Sequence, residues 1–262
     1  MNNLGYLTDA IFHKLDAEIV DRGSYYLIRT PSNPTYFWGN FLLFKSKPES
    51  GCSDHWLALH QTEFGSSPSH IAIGWDSDDQ GDPSEFEAKG FRLEEDIVLS
   101  LSDAPLPVTT NPTLKIRKFN CARDWQESID LQVIEGCEGV GEGDYRTFKT
   151  DQMANYRLNQ ERGRGHWWGA FLNGELVGDM GLFFDETGKI ARFQNVTTAK
   201  PHRRKGVCTT LLDRVVRASL AAPRCEKLVI VTEHGSIAEN IYRSLGFQKS
   251  GLQFGLCWQK KS

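Results

Sequence analysis

Several features common in other protein classes are missing from this chain, and their absence narrows its function. No stretch approaches the roughly 18 consecutive apolar residues of a membrane-spanning helix, and the first residues lack a secretory apolar region. The six cysteines are scattered, with no Cys-x-x-Cys pair and no Cys/His cluster at metal-ligand spacing. The net charge of −4 gives no bulk attraction to nucleic acid or to a membrane surface. We therefore expect a cytoplasmic protein with reduced thiols, no metal site, and no nucleic-acid or membrane partner.

A proline-rich segment divides the chain into two parts. Residues 102–113 (SDAPLPVTTNPT) carry three prolines among small polar residues, which neither a helix nor a central strand accommodates. The segment predicts a linker at 106–112 between an N-terminal domain of residues 1–105 and a C-terminal domain of residues 113–262.

The pattern after the linker alternates strands and helices. Asn173-Gly174 is typical of a tight hairpin turn, and Ser236-x-x-Glu239 is a capping box that opens a helix with Ile237 directed to the core. The fully apolar run KLVIVT (227–232) is typical of a strand in the middle of a sheet. The predicted order is β-α-α-β-β-β-α-β-α-β, an α/β fold with a mixed sheet.

A basic loop with a glycine precedes one of the predicted helices. The segment KPHRRKGVC ends in Arg203, Arg204, Lys205, Gly206, Val207 and Cys208, which we call the arm. Unpaired N–H groups at a helix start form an anion site, and an arginine can donate two hydrogen bonds to a phosphate. Taken alone, the arm is equally consistent with a solvated basic turn.

Two spaced motifs resemble the GNAT superfamily of N-acetyltransferases. Arg203-x-x-Gly206-x-Cys208 is similar to its pyrophosphate signature Arg/Gln-x-x-Gly-x-Gly/Ala, with Cys208 in place of the last small residue. Ala238-x-x-x-Tyr242-x-x-x-Gly246-Phe247 is similar to its second signature, although Gly235 stands where the family often has asparagine. The resemblance covers residues 113–262 and implies the GNAT acyl-CoA N-acyltransferase fold for this domain.

The resemblance also implies a cofactor and a set of site residues. Acetyl-CoA would be the co-substrate, with its pyrophosphate on the arm and its pantetheine beside Asn195, Val196, Thr197 and Thr198, where two parallel strands separate. Tyr242 would contact the cofactor and act as general acid toward the leaving thiolate; the alternative is a half-buried structural tyrosine. Glu233 is our candidate general base; His234, His166 and a chain of water molecules are the alternatives.

Residues 1–105 show internal similarity to the cofactor-binding half of the second domain. Both contain a strand, a Gly-Cys loop, a helix, a strand and a helix ending in Gly-Phe, and Gly51 to Gly90 spans nearly the same interval as Gly206 to Gly246. The first copy lacks the arginine, and Phe86 replaces the tyrosine. We expect a smaller, degenerate GNAT-like α/β domain without a coenzyme A site; the alternative is coincidence among short segments.

The combined prediction is an acetyl-CoA-dependent N-acetyltransferase that acts on a primary amine of a small molecule in a ternary complex. Two alternatives stay open: acetylation of a protein lysine or N-terminus, and a non-catalytic acyl-CoA sensor or scaffold. A homodimer is compatible with each of these three interpretations. The sequence does not identify the acceptor.

Overall fold

The computed structural model describes residues 1–13, 17–136, 141–222 and 224–260. The chain forms two compact units. The first contains Met1–Val98 and Thr232–His234 together with the chain from Ser250 onward, and the second contains Leu99–Val231 and Gly235–Lys249. Among the described residues, no helix is both long and apolar enough to cross a membrane.

The second unit contains the predicted succession of elements except for its last strand. Its strands are β6 (Lys115–Lys118), β7 (Gly165–Leu172), β8 (Glu175–Phe184), β9 (Ile190–Thr198) and β10 (Lys227–Glu233). The last two residues of β10 group with the first unit. The helices are α4 (Ala122–Gly136), α5 (Glu142–Glu161), α6 (Val207–Leu220) and α7 (Ile237–Ser244). The strand order is β10-β9-β8-β7-β6. Strands β9 and β10 are parallel, whereas the other neighbours are antiparallel. The predicted mixed sheet is confirmed.

Local sequence chemistry accounts for the boundaries of these elements. Asn173 and Gly174 both have positive φ (52° and 91°), as a two-residue hairpin turn with the native strand twist requires. The Ser236 side chain accepts a hydrogen bond from the Glu239 backbone N–H at 3.2 Å, and the Glu239 carboxylate accepts one from the Gly235 N–H at 2.8 Å. The predicted cap of α7 is thus present.

The structure corrects one prediction about a helix face. Leu211, Leu212 and Val215 of α6 are fully buried and form an apolar stripe. Ile237 of α7, however, is 82% exposed, although it was expected to be directed to the core. Helical spacing identifies an apolar stripe but does not show which end of it the sheet covers.

The first unit is a second α/β assembly. Its elements are α1 (Leu4–His13), β1 (Glu18–Asp21), β2 (Tyr25–Arg29), β3 (Phe41–Phe44), α2 (Ser53–Phe64), β4 (His70–Trp75), α3 (Ser84–Ala88) and β5 (Arg92–Leu101). The last residues of β5, from Leu99, group with the second unit. Strands β3 and β4 are parallel and flank α2, as β9 and β10 flank α6. The internal similarity therefore extends to the fold.

The last strand of the chain differs from its predicted placement. Strand β11 (Gln248–Gln259) pairs antiparallel with β4, with Gly255 opposite Gly74 and Gln259 opposite His70. Its Phe254 stacks on Trp75 with ring centroids 5.8 Å apart. From Ser250 onward β11 groups with the first unit, whereas the predicted C-terminal domain of residues 113–262 includes it.

The predicted linker lacks regular secondary structure but is fixed to the second unit. The Leu106 N–H donates to the Leu245 carbonyl at 3.0 Å, and the Asn111 N–H donates to the Thr210 hydroxyl at 2.8 Å. The segment therefore packs as an irregular part of the second unit.

Five of the six cysteines are free thiols, and the sixth, Cys137, lies outside the described residues.

A buried acid follows β4. Asp76 is buried and accepts hydrogen bonds from the Asn2 and Asn3 backbone N–H groups at 2.7–2.8 Å. Asp76 thus fixes the start of α1.

Candidate functional site

The second unit encloses a cavity of about 990 Å³. This is at the upper end of the range for ligand sites, roughly 300–1,000 Å³. Four groups of residues line it: the end of α4 with the first turns of α5, the end of β9, the arm, and one face of α7. The apolar side chains of Ile237, Ala238 and Ile241 cover the α7 side, so the exposed Ile237 faces the cavity instead of a core.

The end of β9 is distorted where it meets the cavity. Asp179 of β8 pairs with Thr197 and Gly181 pairs with Gln194, so two residues of β9 oppose one of β8. This is a β-bulge, and Asn195 within it has φ of 48°. Asparagine tolerates this left-handed conformation better than most residues. The bulge turns the β9 backbone toward the cavity.

Strands β9 and β10 separate beyond their first residues. Their parallel pairing runs from Lys227 opposite Ile190 to Val229 opposite Arg192, and no later pair follows between these strands. The β9 edge from Gln194 to Thr198 therefore keeps backbone donors and acceptors without a β10 ladder partner. The separation leaves Asn195 to Thr198 of β9 beside the gap in which the family resemblance places the pantetheine.

The backbone of the arm is shaped as an anion site. Arg204 and Gly206 have positive φ (60° and 75°), and Gly206 is the N-cap of α6. Within the described chain, the N–H groups of Val207, Cys208 and Thr209 have no acceptor, as in the first turn of any helix. These groups point out of the helix start, where the dipole favours negative charge.

Neighbouring residues hold the Arg203 side chain and the Lys205 carbonyl of the arm in place. The Arg203 guanidinium forms an ion pair with Glu135 of α4 and donates to the Thr198 carbonyl at 3.2 Å. The Asn111 amide of the irregular segment donates to the Lys205 carbonyl at 2.9 Å. Lys205 is the one predicted cofactor residue that does not line the cavity; the other ten do.

Tyr242 and Cys208 lie on the cavity wall. Tyr242 is 4% exposed, and its hydroxyl has no hydrogen-bond partner among the described residues. Burial raises the pKa of Tyr242 well above its usual range, and Cys208 contributes to the rise. Burial also raises the pKa of the Cys208 thiol to about 12. Both groups therefore keep their protons at neutral pH, which suits a proton donor and excludes a thiolate nucleophile.

The other sequence candidates are not brought to the cavity. Glu233 and His234 are exposed and group with the first unit, so neither candidate base gains geometric support. His166 on β7 is partly buried, which lowers its pKa to about 4 with help from the Lys118 charge, and it does not line the cavity either.

The two tryptophans of β7 do not form a substrate wall. Trp167 is fully buried in the core, where its indole N–H donates to Asp179 at 3.1 Å. The ammonium of Lys118 lies over the Trp168 ring, 5.3 Å from its centroid. Neither tryptophan lines the cavity.

Sequence reasoning missed a buried polar cluster beside the bulge. It consists of Ser128, Gln132, Lys149, Gln152, Asp179 and Asn195. One carboxylate oxygen of Asp179 accepts hydrogen bonds from Ser128, Gln132 and Trp167, and the other has no partner in the described chain. The only available signal was polar residues inside helical stripes, which exposed helix faces also produce.

The cluster connects to both the bulge and the cavity. The Asn195 amide donates to Gln152 at 3.0 Å and to Gln132 at 3.3 Å, which pins the left-handed residue. Burial raises the pKa of Asp179 to about 6, opposed by its hydrogen bonds and by the Lys149 charge. Burial lowers the pKa of Lys149 to about 8, opposed by Asp179. Gln132, Lys149 and Asn195 also line the cavity.

The corresponding helix start in the first unit is arranged differently. There the Gly51 N–H donates to the Glu85 carboxylate at 2.7 Å. Hydrogen bonds from Ser53 and then Gly51 lower the pKa of Glu85, so it is ionised at neutral pH. A carboxylate thus occupies the anion position that the arm leaves open in the second unit.

One family model matches part of the chain. The model of the acetyltransferase (GNAT) family matches residues 135–247, which include the arm and Tyr242. No curated protein has a significant sequence match to the chain.

Solved structures share the fold over most of the chain. A functionally unknown conserved protein from Staphylococcus epidermidis has a TM-score of 0.76 at 11% identity, covering 94% of this chain and 96% of that protein. A GCN5-related N-acetyltransferase from Kribbella flavida has a TM-score of 0.66 at 10% identity, covering 98% and 94%. A tandem GNAT protein from the clavulanic acid biosynthesis pathway has a TM-score of 0.52 at 13% identity, covering 79% and 69%.

Proposed function

We propose that the chain is an N-acetyltransferase that transfers the acetyl group of acetyl-CoA to a primary amine of a small molecule in a ternary complex. The match of residues 135–247 to the acetyltransferase (GNAT) family model supports this proposal. One observation carries the proposal: the arm, the separated end of β9 and the Tyr242 hydroxyl open on the same cavity. A thioester cofactor needs an anion site, a backbone edge and a proton donor in this arrangement.

The arm fits a pyrophosphate. Three first-turn N–H groups and the Arg203 and Arg204 guanidiniums offer donors of the kind that bind phosphate oxygens. The φ of 75° at Gly206 disfavours residues with a Cβ at this position. Acetyl-CoA, when bound, supplies the activated acyl group.

The remaining roles follow from position. The β9 edge at Val196–Thr198 holds the pantetheine amides and polarises the carbonyl through backbone N–H groups. Tyr242 retains its proton until the thiolate leaves and then donates it. A direct transfer needs no acyl-enzyme, which agrees with the protonated state of Cys208.

Binding and turnover test the proposal separately. We expect acetyl-CoA to raise the melting temperature of the protein. Arg203→Ala combined with Gly206→Glu should abolish this rise, because the pair removes a donor and adds a repelling carboxylate. Arg214→Ala, which changes an exposed residue of α6, is the matched control. An unchanged rise in the double variant would exclude the arm as the cofactor site.

Turnover is measured as coenzyme A thiol released in the presence of a panel of small amines. Release that depends on the amine supports the enzyme. Micromolar acetyl-CoA binding without release for any amine, peptide or protein acceptor would instead favour a non-catalytic sensor. Release with peptides alone would favour a protein acetyltransferase.

A further inference from the structure

A buried ammonium without a counter-ion lines the cavity. Lys149 of α5 is 7% exposed, and no carboxylate in the described chain lies within ion-pair distance of its nitrogen. Its one hydrogen bond goes to the Gln152 side-chain oxygen at 2.9 Å. An ammonium has three N–H donors, so two are left for another partner. A buried charge that lacks both pairing and full hydrogen bonding is costly.

The surroundings of Lys149 compensate this charge only in part. The rings of Phe148 and Tyr145 lie 5.1 and 5.6 Å from the ammonium, and such cation–π contacts offset only part of the cost of burying it. Asp179 acts on Lys149 only at longer range. A structural lysine would be expected to meet a carboxylate directly, whereas an anion-binding lysine leaves that position to its ligand.

Lys149 lies next to the bulge and belongs to a different element from the arm. Its nitrogen and the Asn195 amide nitrogen are 2.9 and 3.0 Å from the same Gln152 oxygen, so they are no more than 5.9 Å apart. In the proposed function the β9 edge at Val196–Thr198, which directly follows Asn195 of the bulge, polarises the thioester carbonyl, so the acyl group meets the acceptor beside the bulge. An anion on Lys149 would therefore belong to the acceptor and not to the pyrophosphate.

We propose that Lys149 binds a carboxylate of the acceptor, so that the substrates are small amines that carry a carboxylate, such as amino acids. This inference rests on the proposed function, since it assigns the acceptor of the same site. A phosphate dianion would favour a second cation beside Lys149. The other basic side chains among the described lining residues belong to the arm or adjoin it: His202, Arg203 and Arg204. One ammonium beside neutral amides matches a single negative charge.

The test compares acids with their uncharged amides. The probes are 4-aminobutanoate and 4-aminobutanamide, and β-alanine and its amide, with saturating acetyl-CoA. For the wild-type protein we expect kcat/KM to be about tenfold or more higher for each acid, as for a hydrogen bond to a charged group. Lys149→Met should bring the ratio close to one, and Lys149→Arg should retain part of it. Lys115→Met, at an exposed position on β6, is the matched control.

Several outcomes would overturn the inference. A ratio near one in the wild-type protein would do so, as would an equal loss for acid and amide in Lys149→Met. A weaker acetyl-CoA affinity in Lys149→Met with an unchanged ratio would assign the lysine to the cofactor. Preference for 3-aminopropylphosphonate over 4-aminobutanoate would replace the carboxylate by a phosphate group.

A second readout does not depend on turnover. If no amine is acetylated, the proposed function fails, and melting temperatures still test the anion site. The acids should stabilise the wild-type protein more than their amides do, and Lys149→Met should lose that difference. Equal stabilisation by acid and amide would reject the site itself. Melting without ligand shows whether each variant is folded.

Discussion

The Arg203 guanidinium forms an ion pair with the carboxylate of Glu135, which lies almost fully buried near the end of α4. The same carboxylate accepts the Lys200 backbone N–H at 2.7 Å. One buried acid therefore fixes the loop that leads into the arm. It also occupies the arginine that the proposed pyrophosphate contact needs, so cofactor binding must compete with an internal anion.

Replacing that acid with its amide should strengthen cofactor binding. Glu135→Gln keeps an oxygen for the Lys200 N–H but removes the charge that competes for Arg203. Since Arg203 is 52% exposed and screened by solvent, we expect a modest effect, with the Kd for acetyl-CoA falling about two- to fivefold. Isothermal titration measures it. A weaker affinity would mean that positioning of the loop outweighs the competition.

Tyr242→Phe should separate chemistry from binding. The ring stays buried against Phe247, so the fold and the acetyl-CoA affinity should be preserved. Losing the proton donor should lower kcat by about 100-fold. Steady-state kinetics beside a binding titration decide the outcome. An unchanged kcat would make the tyrosine structural.

Asp179 should make the stability of the protein depend on pH. Its pKa is about 6 in the folded state and about 3.9 when unfolded, so the native state binds the proton more tightly. The associated stabilisation is complete below pH ~4 and is lost as the pH rises through ~6. Asp179→Asn keeps an acceptor oxygen and lacks this titration.

Urea unfolding of wild type and Asp179→Asn at several pH values checks the prediction. The free energy of unfolding of the variant relative to wild type should rise by ~2 kcal/mol between pH 4 and 7. A difference that is constant with pH would show that Asp179 does not titrate in this range.

Phe254→Ala should destabilise the first unit although the residue lies near the C-terminal end of the sequence. Removing a buried phenylalanine costs about 3–5 kcal/mol. Hydrogen exchange should accelerate in β4, where Phe254 stacks on Trp75. Leu211→Ala, a comparable deletion in α6, should instead accelerate exchange in the second unit. The same exchange pattern for both variants would contradict the assignment of β11.

Short-range chemistry made most of the second unit predictable. The hairpin turn at Asn173-Gly174, the cap at Ser236 and the apolar run of β10 each contain their own stop and start signals. The arm alone was equally consistent with a solvated basic turn. Its resemblance to a family signature, together with the spaced Tyr242 motif, made it a candidate cofactor site.

Long-range placement was not predictable in the same way. Nothing local in β11 indicates that it pairs with β4, since any half-buried strand has the same alternation. Lys149, Asp179 and Gln132 lie far apart in sequence and form one cluster only after α4, α5 and β8 pack together. Ile237 looked like a core residue because a cavity wall and a core select the same apolar side chains.

The pairing of β11 with β4 has a consequence for synthesis on the ribosome. Strand β4 emerges early, but its neighbour β11 is translated only after the whole second unit. Until then the β4 edge has unpaired backbone groups, a state that invites pairing with other chains. The first unit therefore begins the chain but is among the last parts to fold, and expression of residues 1–105 alone should yield aggregates.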